Sequence, residues 1–183
     1  MNIKESILKD LYRYTENQKI RFIDKKRLYG WQYTKTWRKV NYYTKHNKIL
    51  FYFYAYVLYR KSLRYGFQIS PYATIGDGLY LGHFGTIIVG NEVKIGCNVN
   101  LNPNVVIGRE NRGHRKGSPE LGDSVWVGTG TVIVGNIHIG NNVLIAPNSY
   151  VNFDVPDNSI VIGNPSRIIY RDDATENYIE RTI

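Results

Sequence analysis

From Ile69 to Val151 an aliphatic side chain keeps returning at an interval of six residues: Ile69, Ile75 and Leu81, then Ile95, Leu101 and Ile107, then Leu121, Val127, Ile133, Ile139, Ile145 and Val151. Glycine follows the anchor directly in seven cases, Gly76, Gly82, Gly96, Gly108, Gly122, Gly128 and Gly140, and a small or aliphatic residue usually stands four places after it. A helix would repeat at about 3.6 residues and a plain strand at about 2, whereas six accommodates a short strand and a tight turn. Glycine and asparagine supply the positive φ that such turns require. Stacking the turns sets each anchor above the last, in an apolar column that no single repeat could bury alone. The pattern predicts a mainly β chain whose central part, residues 67–165, is a parallel β-solenoid.

The period lapses twice. The anchor spacing is 14 from Leu81 to Ile95 and again from Ile107 to Leu121, and both gaps read as two repeats plus two residues. A solenoid tolerates insertions where they bulge from a corner, and such bulges commonly form a binding face. The first gap holds His83, in "LYLGHFGTIIVG"; the second holds the loop 108–120, "GRENRGHRKGSPE", with Arg109, Arg112, His114, Arg115 and Lys116. An imidazole titrates near neutrality, so it can accept a proton and return it. Arginine forks match the oxygens of phosphate or carboxylate, although a solvated surface loop accounts for the same charges. His114 reads equally as a second base or a solvated residue. Cys97 stands two residues after an anchor with no base beside it in sequence, and reads as structural rather than nucleophilic. His83, His114 and His138 lack the paired spacing of metal ligands, so no metal is expected.

The [LIV]-G-x-x-x-x repeat, with "GDGLYLGHFGTIIVGNEVKIG", "GDSVWVGTGTVIVGNIHIG" and "VIGNPSRII", resembles the hexapeptide-repeat acyltransferases over about residues 67–170. The closer resemblance is to their serine acetyltransferase branch and related O-acetyltransferases of bacterial polysaccharide synthesis. It implies a left-handed parallel β-helix of triangular coils, a homotrimer with sites shared between subunits, and acetyl-CoA as acyl donor. It also implies that His83 is the general base for direct attack of a hydroxyl on the thioester. Candidate acceptor contacts are Gln68, Asn91, Glu92, Arg112, His114 and Arg115. Candidate coenzyme contacts are Gly128, Thr129, Ala146, Pro147 and Arg167 along the late coils, with Lys116 from the loop. Where the serine branch has an aspartate before its first repeat, an aspartate before the base and a histidine before the loop proline, this chain has Gln68, Gly82 and Ser118. A desolvated ammonium needs a carboxylate partner. The expected acceptor is therefore a saccharide or lipid-linked glycan of bacterial surface polysaccharide, with serine O-acetylation in cysteine biosynthesis as the alternative and a non-catalytic β-helix scaffold as a further one.

Residues 1–66 show no such period. The first 65 hold 16 Lys/Arg against 4 Asp/Glu, and 11 of the chain's 16 tyrosines. They read as two or three helices, the clearest over about residues 46–65. Its apolar stretch from Ile49 to Tyr59 is far short of the roughly 20 residues that span a bilayer. Cations around aromatic residues suit peripheral contact with a membrane, and equally a segment packed on the β-helix. No nucleic-acid-binding motif is recognisable, so no such partner is expected. The opening residues lack a secretory signal pattern, which makes the cytoplasm the expected compartment, and residues 166–183 read as a C-terminal tail.

Overall fold

All twelve anchors are buried in the computed structural model, which describes residues 2–15 and 27–183. They lie on three parallel sheets wound as the faces of one β-helix of about five turns. The first face carries β1 (Phe67–Ile69), β4 (Ile87–Val89), β7 (Val105–Gly108), β10 (Val132–Val134) and β13 (Tyr150–Val151). The second carries β2 (Thr74–Ile75), β5 (Lys94–Ile95), β8 (Glu120–Leu121) and β11 (His138–Ile139). The third carries β3 (Tyr80–Leu81), β6 (Asn100–Leu101), β9 (Val125–Val127), β12 (Val143–Ile145) and β14 (Ser159–Gly163). It ends with β15 (Ser166–Tyr170), which turns back antiparallel on β14, pairing Arg167 with Ile162. The residue three places after an anchor takes the left-handed conformation at Gly78, Asn98, Asn104, Ser124, Gly130, Asn142 and Asn148, as a tight corner demands.

Strand register separates the two gaps that look alike in sequence. Ile69 pairs with Val89, and Val89 with Ile107, so Val89 is an anchor of the first gap. That gap is two repeats with two extra residues, and they fall at the corner holding His83. Ile107 pairs with Ile133, 26 residues on, and Ile95 pairs with Leu121. The second gap is therefore one repeat plus an eight-residue excursion, not the two repeats plus two that the spacing suggests. Glu110 and Gly117 close its neck with reciprocal backbone hydrogen bonds of 2.9 and 3.0 Å.

A solenoid's first coil leaves a row of unpaired backbone groups at its open end, and each one buried without a partner is costly. Among the described residues three helices cover that end: α1 (Ile3–Tyr12), α2 (Tyr29–Tyr43) and α3 (Lys48–Tyr65). Their side chains satisfy coil one in order along the chain. The Tyr33 hydroxyl accepts from Ile69 N (3.2 Å), Trp37 Nε1 donates to Ser70 O (2.9 Å), and Asn41 donates to Pro71 O (2.8 Å). Arg38 donates to the carbonyls of Ile75 and Gly76, each at 2.6 Å. Asp10 accepts from Gly78 N and Leu79 N, and the Tyr14 hydroxyl accepts from Leu81 N. Arg38 and Asp10 also form a fully buried, two-pronged ion pair at 2.9 Å. Arg38 and Tyr33 of α2, with Tyr14 just after α1, are thus spent on capping the β-helix.

Removing one member of a buried ion pair leaves the other charge unmatched. Arg38→Met should cost about 3–5 kcal/mol by chemical denaturation, and Asp10→Asn a comparable amount. A second test uses Lys61, whose ammonium donates to Gln32 O and Thr36 Oγ1 between α2 and α3. Burial, followed by the nearby Lys35 and Lys39 charges, lowers its pKa from 10.5 to about 8. The folded value lies below the unfolded one, so the charged form is penalised by folding. That penalty is full below about pH 8 and fades as pH rises towards 10.5. Lys61→Met should therefore lose its relative advantage, or grow relatively worse, when unfolding free energies taken near pH 7 are compared with those near pH 10.

Candidate active site

The two-residue insertion of the first gap makes the corner 82–86, between β3 and β4, wider than any of its counterparts below. The cap holds it in place. Gly85 N donates to Tyr65 O at the end of α3 (2.8 Å), the Tyr14 hydroxyl grips the Leu81 backbone, and Gly30 of α2 packs against the Leu81 carbonyl. Gly66 ends α3 with φ +83° and lies so close to Gly85 that a Cβ there would meet its backbone at 2.8 Å. The insertion thus stands out from the β-helix with His83 and Phe84 exposed at its tip. Phe84 meets Tyr29 edge-on, ring centroids 6.1 Å apart, and the His83 imidazole has no hydrogen-bond partner among the described residues. Phe84 was missed by the sequence reading; a bulky apolar residue at an outward corner position was the available signal.

Below His83 the same edge continues as a close-packed stack of small corners. Gly85 rests on Pro103, Gly130 N donates to Pro103 O (3.0 Å), and Asn148 N donates to Thr129 O (2.9 Å). A Cβ on Gly128 would lie 2.6 Å from Pro147 N, so the chain can approach this closely only with glycine there. Gly128, Thr129, Ala146 and Pro147 therefore share one edge with His83, and the exposed Arg167 follows the corner of the β14–β15 hairpin at its far end.

The remaining candidates stand elsewhere. Gln68 points outward from β1 and shares with Asn91 a cleft of about 480 Å3 between α3 and the first face. Glu92 lies at the corner between the first and second faces, where Arg109 of the loop pairs with it and Ser118 Oγ sits 3.5 Å away. Arg115 is half-buried with Nε 3.9 Å from Glu110 Oε2, and its carbonyl accepts from Asn136 N, tying the loop to the coil below. Arg112, His114 and Lys116 are exposed on the loop. Lys116 lines a groove of about 310 Å3 with Glu92, Ser118 and Asn136, apart from the residues grouped with it as coenzyme contacts. The first face, carried at this level by the three-residue strand β4, separates this edge from His83. Within one chain His83 and the loop stand on different edges of the β-helix. No group of three His, Cys, Asp or Glu among the described residues could hold a metal ion.

A β-helix of six-residue repeats with an exposed histidine at a corner insertion is the architecture of a hexapeptide transferase. The model of the bacterial transferase hexapeptide family (six repeats) matches residues 118–152. A serine O-acetyltransferase structure from Brucella melitensis superposes with a TM-score of 0.75 at 30% identity, covering 92% of this chain and 67% of that one. The chain belongs to the hexapeptide transferase family. The Neisseria gonorrhoeae serine acetyltransferase solved in complex with serine gives a TM-score of 0.74 at 29% identity, covering 91% and 69% of the two chains. The serine acetyltransferase of Staphylococcus aureus is 36% identical over 107 residues, which are 58% of this chain and 50% of the relative. The chain spans about half the length of the curated relatives it matches.

These relatives overturn the saccharide acceptor expected from Gln68, Gly82 and Ser118, because the proteins this chain resembles over most of its fold are named serine acetyltransferases. Those three positions are a narrow basis for excluding an amino acid. The loop edge carries both cations and the carboxylate of Glu92. If the Gly85 turn holds His83 in place, Gly85→Val should lower turnover more than tenfold with the far-UV circular dichroism unchanged. A side chain there would press on Pro103 Cβ at 3.0 Å and strain a φ of +147°.

Proposed function

We propose that this chain is an acetyl-CoA-dependent serine O-acetyltransferase whose general base is His83, and that each active centre forms between neighbouring copies of a homotrimer. The observation that carries this reading is the exposed imidazole on a corner insertion, directly above the edge of small residues at Gly128–Thr129 and Ala146–Pro147. That edge suits a long, thin thioester: a shallow track with few side chains in the way and backbone groups close to the surface.

The neutral His83 imidazole takes the proton from the serine hydroxyl as its oxygen attacks the thioester carbonyl. The tetrahedral intermediate expels the coenzyme thiolate, the carbon–sulfur bond breaks, and the imidazolium returns its proton to the sulfur. No acyl-enzyme forms, which leaves Cys97 without a chemical role; its backbone N–H donates to Asp123 at a corner on the far side of the third face. Base catalysis of this kind is worth about 10²–10⁴ in rate, and positioning and oxyanion stabilisation supply the rest. Arg112 and Lys116 suit the serine carboxylate, and Glu92 suits its ammonium. A neighbouring copy would deliver them across the face that separates the two edges within one chain, and closed threefold symmetry would make three such sites.

His83→Ala should lower the rate of coenzyme thiol release with L-serine by about 10²–10⁴ while leaving coenzyme binding by calorimetry within about twofold. Undiminished turnover would remove the base assignment. Mixing His83→Ala chains with Arg112→Ala/His114→Ala/Lys116→Ala chains should restore activity at about a quarter of the sites if base and loop come from different copies. No recovery from two inactive parents that do exchange subunits would place the whole centre within one chain.

A further inference from the structure

The cap accounts for the inner faces of the helices but not for the outer face of α3. Ile49, Tyr52, Phe53, Tyr56, Tyr59 and Leu63 are between 58% and 81% exposed. At 100° per residue these six fall within an arc of about 120°, so they form one continuous stripe. Leu58, Tyr54 and Ala55 turn the opposite way, towards the core. Exposed cations accompany the stripe: Arg60 within it, and Lys48 and Arg64 at its margins. No Asp or Glu occurs anywhere between Asp24 and Asp77.

An apolar stripe of this size is normally covered. The charges decide by what. A second copy laying its own α3 against this one would bring Lys48, Arg60 and Arg64 against the same three cations with no acid on either helix, and like charges in contact oppose association. Nucleic acid would satisfy the cations but leave Ile49, Phe53 and Leu63 against water or phosphate. An anionic lipid surface meets both demands. Its headgroups pair with the basic residues, the tyrosine rings rest at headgroup depth, and the aliphatic and phenyl groups enter the acyl boundary. No helix among the described residues is long and apolar enough to cross a membrane, so the contact is one of lying on the surface. We propose that α3 is a lipid-contacting helix that docks its outer face on an anionic bilayer. The surface lies on the outside of the cap, and its assignment does not depend on which acceptor His83 serves.

The full chain is floated through a density gradient with vesicles of phosphatidylcholine alone or mixed with phosphatidylglycerol. It should rise with the anionic vesicles at low salt, and at least about tenfold less with neutral vesicles or at high salt. Ile49→Ser/Phe53→Ser/Leu63→Ser should lose flotation while keeping the wild-type circular dichroism and sedimentation mass. Phe53→Trp should add an emission component that shifts to the blue on anionic vesicles. Wild-type chain that stays at the bottom of the gradient with anionic vesicles at low salt overturns the proposal. So does a triple-serine variant that floats normally but sediments as a smaller oligomer, which would assign the stripe to a second copy. Bound Phe53→Trp with unshifted emission also overturns it, leaving a purely ionic contact.

Discussion

The burial of one aliphatic side chain on every sixth residue is the constraint from which the rest of this molecule follows. Ile107, Ile133 and Val151 lie one above another on the first face, and corresponding columns line the other two. Each such side chain contributes about 1.5–3 kcal/mol by leaving water, but only while the coil above and the coil below are in register. That requirement makes the corners the sole place where extra residues can go. It is why the candidate site residues, His83 and the cationic loop, are both found on insertions: a corner bulge can present a polar group without disturbing the column beneath it.

The same architecture creates a problem at its end, and the helices answer it. Coil one has no coil above it to pair with, so Tyr33, Trp37, Arg38, Asn41, Asp10 and Tyr14 stand in for the missing strands, one backbone group at a time. The cap and the candidate centre are physically continuous. The Tyr14 hydroxyl that closes the Leu81 amide and the Tyr65 carbonyl that receives Gly85 N bracket the insertion carrying His83.

The family was legible because its signal is local and repeated, and the insertion at His83 was legible because it interrupts that signal. The acceptor was read wrongly. Gln68, Gly82 and Ser118 were weighed as isolated positions, while the similarity to serine acetyltransferases extends across the fold. The grouping of His83 with the loop residues could not be judged in sequence either, since linear distance says nothing about which corner an insertion occupies. Val89 escaped notice as an anchor because its spacing from Leu81 is eight, and the two gaps of 14 looked identical until pairing showed that one contains an extra coil face and the other an excursion.

By itself the sequence determined the period, hence a parallel β-helix with its anchors inside, its glycines and asparagines at the corners and its polar chemistry on two bulges. Those features depend on neighbours within about six residues, and a chain carries such information along its length. Only the tertiary structure decided that Asp10 and Arg38 form a buried pair over the open end of the first coil, that His83 shares an edge with Gly128 and Pro147, and that the cationic loop stands a face away from it. These are contacts between residues far apart in sequence, fixed by how many residues each coil consumes before the chain returns to the same corner.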